Sequence, residues 1–180
     1  RIEIQINDHA AIAGLNALIA RGSDLSPLMD MLGEKLADST KDRFATSTAP
    51  DGTPWAPNAH QAILQALNRN KRSFSKRTGA LTKTGKGIAA GKKPLIGETG
   101  ALSTTIHYQL LGRDTVVIGS GMEYAATQQF GAKQGAFGKS KRGGPIPWGD
   151  IPARPFLGIS ARDEVTITNV INEYLAAPWD

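Results

Sequence analysis

Few residue groups in this 180-residue sequence could carry chemistry, and each lacks something that the chemistry needs. Gly138-Lys139-Ser140 has the closing residues of a P-loop, in which backbone N–H groups and a lysine cradle phosphates. That motif requires a glycine five residues before its final glycine, where Lys133 stands, and no buried strand leads into it. Gly119-Ser120-Gly121 sets a serine between glycines, but the G-x-S-x-G spacing of a nucleophile elbow is absent, so Ser120 reads as a turn residue. His9, His60 and His107 are scattered without metal-ligand spacing. Asp38 and Asp42 share a polar helix face, where no apolar pocket would raise a pKa for acid–base work. There is no cysteine, which removes thiolate nucleophiles, thiolate metal sites and disulfides. The expectation is a protein with no catalytic residue, no metal and no cofactor.

The elements are arranged around residues 116–159. Val116-Val117-Ile118, the Gly-Ser-Gly turn and the stretch from Tyr124 to Gly131 read as a strand, a sharp turn and a short helix that packs back. The sequence then becomes basic and glycine-rich and is expected to leave the core until Ile151. Pro152 and Pro155 hold the backbone extended on either side of Arg154. Residues two apart on an extended segment share a side, so Arg154 and Phe156 are expected to point together as a fork and a plug. They would anchor either a neighbouring subunit or the segment's own core, with Asp38 or Asp42 as the carboxylate for the guanidinium.

The flanking sequence predicts an α+β fold in one domain, 1–180: a small, mostly antiparallel sheet packed against N-terminal and C-terminal helices. Ile2, Ile4 and Ile6 alternate with polar residues as in a half-buried strand. Asn7 or Asp8 caps a helix with Ile12, Leu15, Leu18 and Ile19 on one face, ending at Arg21-Gly22. Ser26 caps a longer helix to about Phe44, with Pro27 first, Leu28, Leu32 and Leu36 inward, and Asp30, Glu34, Asp38, Lys41 and Asp42 outward. Pro50-Asp51-Gly52 is a turn, and Trp55 after it is expected to be a buried clasp. A short helix over 59–67 follows, then a cap candidate at Thr99 and a hairpin, 104–111 with 115–118, turning at Gly112-Arg113-Asp114. Ser160 caps a last helix presenting Val165, Ile167, Val170, Ile171, Tyr174 and Leu175, which Pro178 stops. No apolar run has the length of a membrane span and no signal-peptide pattern opens the sequence, so no membrane partner is expected. Arg1 in place of a start residue predicts an initiator Met removed or left out.

The formal net charge is +5, and its placement says more than its size. No acidic residue lies between Asp51 and Glu98, and only cations lie between Glu123 and Asp150. Two basic loops, 69–93 and 132–149, are expected, with too little apolar surface to offset an ordering cost of roughly 1–2 kcal/mol per residue. Lys71, Arg72, Lys76 and Arg77 in the first and Lys139, Lys141 and Arg142 in the second suit a polyanion or an acidic partner. Phe74 and Phe137 do not make the repeated stacking series of a single-strand platform, which leaves only nonspecific contact with a phosphate backbone open.

Four stretches in order carry a resemblance. They are Ala49 to Trp55; Pro94-Leu95-Ile96 with Thr99 to Leu102 and Ile106; Tyr124-Ala125-Ala126 with Gln129-Phe130-Gly131; and Ile151 to Gly158. Together the sequence resembles the phage virion morphogenesis family, the tail completion proteins of Mu-like and P2-like phages. The resemblance implies a structural protein of the virion tail or neck, present in the host cytoplasm during assembly. It also implies kinship with tail-terminator and neck proteins that form rings, usually six-fold. The partners implied are copies of itself, the tail tube and the head–tail connector proteins, with nonspecific contact with phage DNA left open. On this reading Arg154, Phe156, Tyr124, Phe130 and Trp55 serve assembly, and the seven named cations face the ring lumen or a partner. The alternative from another class is a standalone basic nucleic-acid-binding protein.

Overall fold

The computed structural model describes residues 9–97 and 99–176. The strand expected at Ile2–Ile6, the cap at Asn7 or Asp8, the Leu15 and Leu18 side chains and the stop at Pro178 lie outside the described residues.

Helix α1 runs His9–Ser23 and α2 runs Ser26–Thr46. Pro27 sits in the first turn of α2, where its missing N–H leaves nothing unsatisfied. The cap differs from expectation. Ser26 donates its amide and its hydroxyl to Asp24 Oδ1, at 3.0 and 2.6 Å, so its oxygen is turned away from the helix and Leu25 holds the cap position. Helix α3 spans His60–Arg69, and a one-turn α5 spans Ala101–Thr104. Gly100 holds the cap position of α5, while Thr99 Oγ1 accepts from Ala101 N at 3.3 Å. Strands β1 (Ile106–Leu110) and β2 (Val116–Ser120) pair antiparallel, with Tyr108 opposite Ile118. The short α6 (Ala125–Phe130) and the final α7 (Ala161–Ala176) complete an α+β architecture with helices at both ends of a two-stranded sheet.

Helix α2 is the spine. One cluster joins Ala37 and Phe44 to Ala49, Trp55, Leu102, Ile106 and Phe156, with Tyr108 and Ile118 packed against it. A second joins Leu28 and Leu32 to Val170, with Ile167, Ile171 and Tyr174 alongside. Val165 and Leu175, expected on that face, are exposed. Val165 is five residues before Val170 and so is rotated about 140° from it around the helix.

Gly33 lets α2 lie directly on β1. A Cβ there would stand 2.3 Å from Cδ2 of Tyr108, whose hydroxyl is held by Asp30 at 2.8 Å. Gly33→Ala gains about 1 kcal/mol of helix propensity and forces an overpacking cost of about 1–3 kcal/mol. The expected result is a lower melting temperature; a higher one would show that the α2–β1 contact is slack.

Candidate functional site

The segment Ile151–Ile159 is docked through its middle, Arg154 to Leu157, while Pro152, Ala153, Gly158 and Ile159 are exposed. Trp55 Nε1 donates to Pro155 O at 2.7 Å, and its ring lies edge-on to Phe44, centroids 5.3 Å apart. Phe156 is fully buried, its ring tilted against that of Phe44 with 5.5 Å between centroids. From α6, the Gln129 side chain reads the backbone: Oε1 accepts from Phe156 N and Leu157 N at 2.9 and 3.0 Å, and Nε2 donates to Leu157 O at 3.0 Å. Arg154 N donates to Gln128 O at 2.8 Å. The segment is thereby clamped between α2, the turn over 49–57 and α6.

Arg154 is buried, and its guanidinium serves the same clamp. Nε donates to Ala56 O at 2.7 Å, Nη2 to Pro57 O at 2.8 Å and Nη1 to Gln128 Oε1 at 3.4 Å. Neither Asp38 nor Asp42 is its partner within the subunit, because both lie on the exposed face of α2, where Asp38 pairs with Lys41. Burial lowers the pKa of Arg154 from its ordinary value. Arg154→Lys keeps the charge but cannot reach three divergent acceptors, so part-buried oxygens lose their donors. A loss of about 1–3 kcal/mol in denaturant unfolding is expected, and an unchanged midpoint would count against the clamp.

The buried carboxylate belongs to another arginine. Arg43 Nη2 pairs with Asp163 Oδ2, and Nη1 donates to Phe156 O at 2.8 Å. Asp163 also accepts from Ser39 Oγ at 2.5 Å and from Ser160 N and Oγ at 2.8 and 2.7 Å. Ser160 Oγ in turn accepts from Asp163 N at 3.2 Å, the cap expected for α7.

Between Gly131 and Ile151, where a mobile basic loop is expected, the chain doubles back as an arm of turns and isolated bridges. Ala132 and Ile151 exchange backbone hydrogen bonds at 2.9 and 2.7 Å. Further bonds run from Gly135 N to Pro147 O, Phe137 N to Ile146 O and Ser140 N to Gly144 O. Lys133 and Asp150 pair at 2.9 Å near the base. These cross-limb bonds supply the order that apolar burial does not. At the root Gly131 has φ +75°, and a Cβ there would lie 2.7 Å from Ile151 O, so only glycine fits.

A family model for phage virion morphogenesis matches residues 6–176 of this chain. The chain belongs to the phage virion morphogenesis family. No curated protein and no solved structure matches it. Membership in this family of virion morphogenesis proteins assigns it a structural, assembly role in a phage virion. Among the described residues no group of three His, Asp or Glu could hold a metal, and no helix is long and apolar enough to cross a membrane.

In this family member the five residues expected to serve assembly fall in two settings. Trp55, Arg154 and Phe156 meet inside the subunit, in the clamp. Tyr124 and Phe130, at the two ends of α6, are 45% and 79% exposed. The cations of the first basic stretch, Lys71, Arg72, Lys76 and Arg77, are exposed on turns closed by Ser75 N to Ala80 O and Thr82 N to Ser73 O. That stretch also holds a helix, α4 (Lys83–Gly91), which apolar periodicity did not signal; Thr82 caps it, its Oγ1 accepting from Gly85 N. Lys139, Lys141 and Arg142 are exposed toward the tip of the arm. The sequence reading missed Arg43, Gln129 and Trp148. A capping-box pattern, Ser160-x-x-Asp163, was the one available sign that Asp163 has a structural duty.

Proposed function

We propose that this protein completes or terminates a phage tail at its head-proximal end and enables head–tail joining, as a closed ring of identical copies, with six as the expected number. Family membership supports a virion assembly role. The observation that carries the ring reading is that a tightly clamped body holds large apolar side chains in water. Phe130, 79% exposed, lines a groove of about 520 Å³ at the root of the arm, and Trp148, on the arm itself, is 78% exposed. Exposed rings on a preorganised support suit contact with further protein, because little entropy is lost on docking. The tail tube and the head–tail connector are the partners proposed for the two faces of the ring.

A phage lacking this gene is expected to accumulate filled heads and separate tails, with joined particles restored when the protein is supplied. Normal yields of joined virions without it would sink the reading. The exposed cations keep the second reading, a standalone nucleic-acid-binding protein, in view. A salt titration separates the two: submicromolar DNA affinity of the isolated chain at physiological salt favours the second, since a ring component needs only weak phosphate contact.

A further inference from the structure

The arm Ala132–Ile151 carries four cations, Lys133, Lys139, Lys141 and Arg142, against Asp150, a net +3. Phe137 and Trp148 stand on it 57% and 78% exposed. The outer face of α2 is its converse. Asp30, Glu34, Asp38 and Asp42 outnumber Lys35 and Lys41 there, a net −2, and all six are exposed. The elements packed on α2 are α5, β1, β2 and α7, and they cover its buried side, Leu28, Leu32, Ala37 and Phe44. Met31, 37% exposed, lies on the outer stripe seven residues before Asp38.

We propose that the arm of one copy lies against the outer face of α2 of the next copy. Lys139, Lys141 and Arg142 then face Glu34, Asp38 and Asp42, and Trp148 covers Met31 and the aliphatic stems beside it. This rests on the ring reading and gives the contact its direction. Copies with a net charge of +5 repel at long range, and opposite charges set locally against each other offset that repulsion and fix the register. The arm and the α2 face are separate surfaces, so each copy gives its arm to one neighbour and receives an arm from the other. Such a head-to-tail contact gives a ring where its rotation closes and a filament where it does not. A nucleic-acid duplex would match the cations but takes an aromatic ring only by unstacking a base step, whereas a helix face with Met31 offers Trp148 an apolar contact without that cost.

Two variants test the contact, K139E/K141E/R142E on the arm and E34K/D38K/D42K on the helix. Every substituted side chain is exposed, and circular dichroism checks that both variants fold. In sedimentation at low salt each alone is expected to self-associate at least about tenfold more weakly than the parent chain. Mixed one to one, they should recover association, because in an alternating assembly every arm again meets a face of opposite sign. Full association of either variant alone, or no recovery on mixing, overturns the docking and leaves the ring reading standing. A parent chain that stays monomeric overturns both. If the arm variant loses duplex DNA binding while its association is unchanged, the arm serves nucleic acid and the proposal fails.

Discussion

Phe156→Ala is expected to lower the stability of the isolated subunit by about 3–5 kcal/mol, the range for removing a buried phenyl ring. Phe156 is fully buried, its ring tilted against Phe44, and its backbone is held from two sides by Gln129 and Arg43. The surrounding atoms are thus poorly able to collapse into the space. A loss of this size is a large share of a typical total of about 5–15 kcal/mol. It should lower the melting temperature by roughly 6–20 °C for a chain of this length. Assembly should fall with it, since the segment that carries the ring also roots the arm. Phe156→Leu fills much of the volume and should recover part of both. A Phe156→Ala variant that melts like the parent but no longer assembles would place the ring against a neighbour instead.

Asp163→Ala should cost a similar amount for a different reason. Arg43 is 6% exposed, and without Asp163 its guanidinium is a buried charge with no counter-charge, a change that costs about 3–5 kcal/mol. Replacing both together, Arg43→Met with Asp163→Leu, should recover much of the loss, as coupled partners do. The pair also predicts a pH dependence. Burial pushes the Asp163 pKa up, but the hydrogen bonds from Ser39 and Ser160 and the charge of Arg43 outweigh it, so the pKa lies below the ordinary 3.8. A depressed carboxylate stabilises the fold fully above its unfolded value and loses that contribution as pH falls through its folded value. The stability gap between the parent and Asp163→Asn should therefore be constant at neutral pH and shrink below 3.8. A gap that stays the same down to about pH 2 would show that Asp163 is not held ionised by these partners.

Much of the fold was legible because its signals are local. The Leu28 and Leu32 stripe, Pro27 at a helix start, the turn at Gly112 and the alternation through Val116–Ile118 each depend on neighbours a few residues away, and each element formed where they stand. Helix α4 was not legible, because Lys83 to Gly91 is rich in glycine and lysine and has no apolar stripe; it forms where Thr82 caps it. The doubling back of the arm was not legible for a related reason. Its order comes from backbone bonds between limbs, which carry no side-chain signature.

The sequence by itself determined the hairpin, the long helices before and after it, and the family, whose motifs stand in order along the chain. The central position of Arg154 and Phe156 was also legible, since two prolines restrict that segment wherever it docks. Only the tertiary structure decided the partners. Arg43 and Asp163 are 120 residues apart, and Arg154 lies 98 residues from Ala56, whose carbonyl it holds. A guanidinium binds either a carboxylate or a backbone carbonyl when only one is within reach, so residue type could not distinguish the arginine that took Asp163 from the one that took two carbonyls. Packing settled it: the buried face of α2 brings Arg43 to the start of α7, while the clamp brings Arg154 to the turn after Trp55.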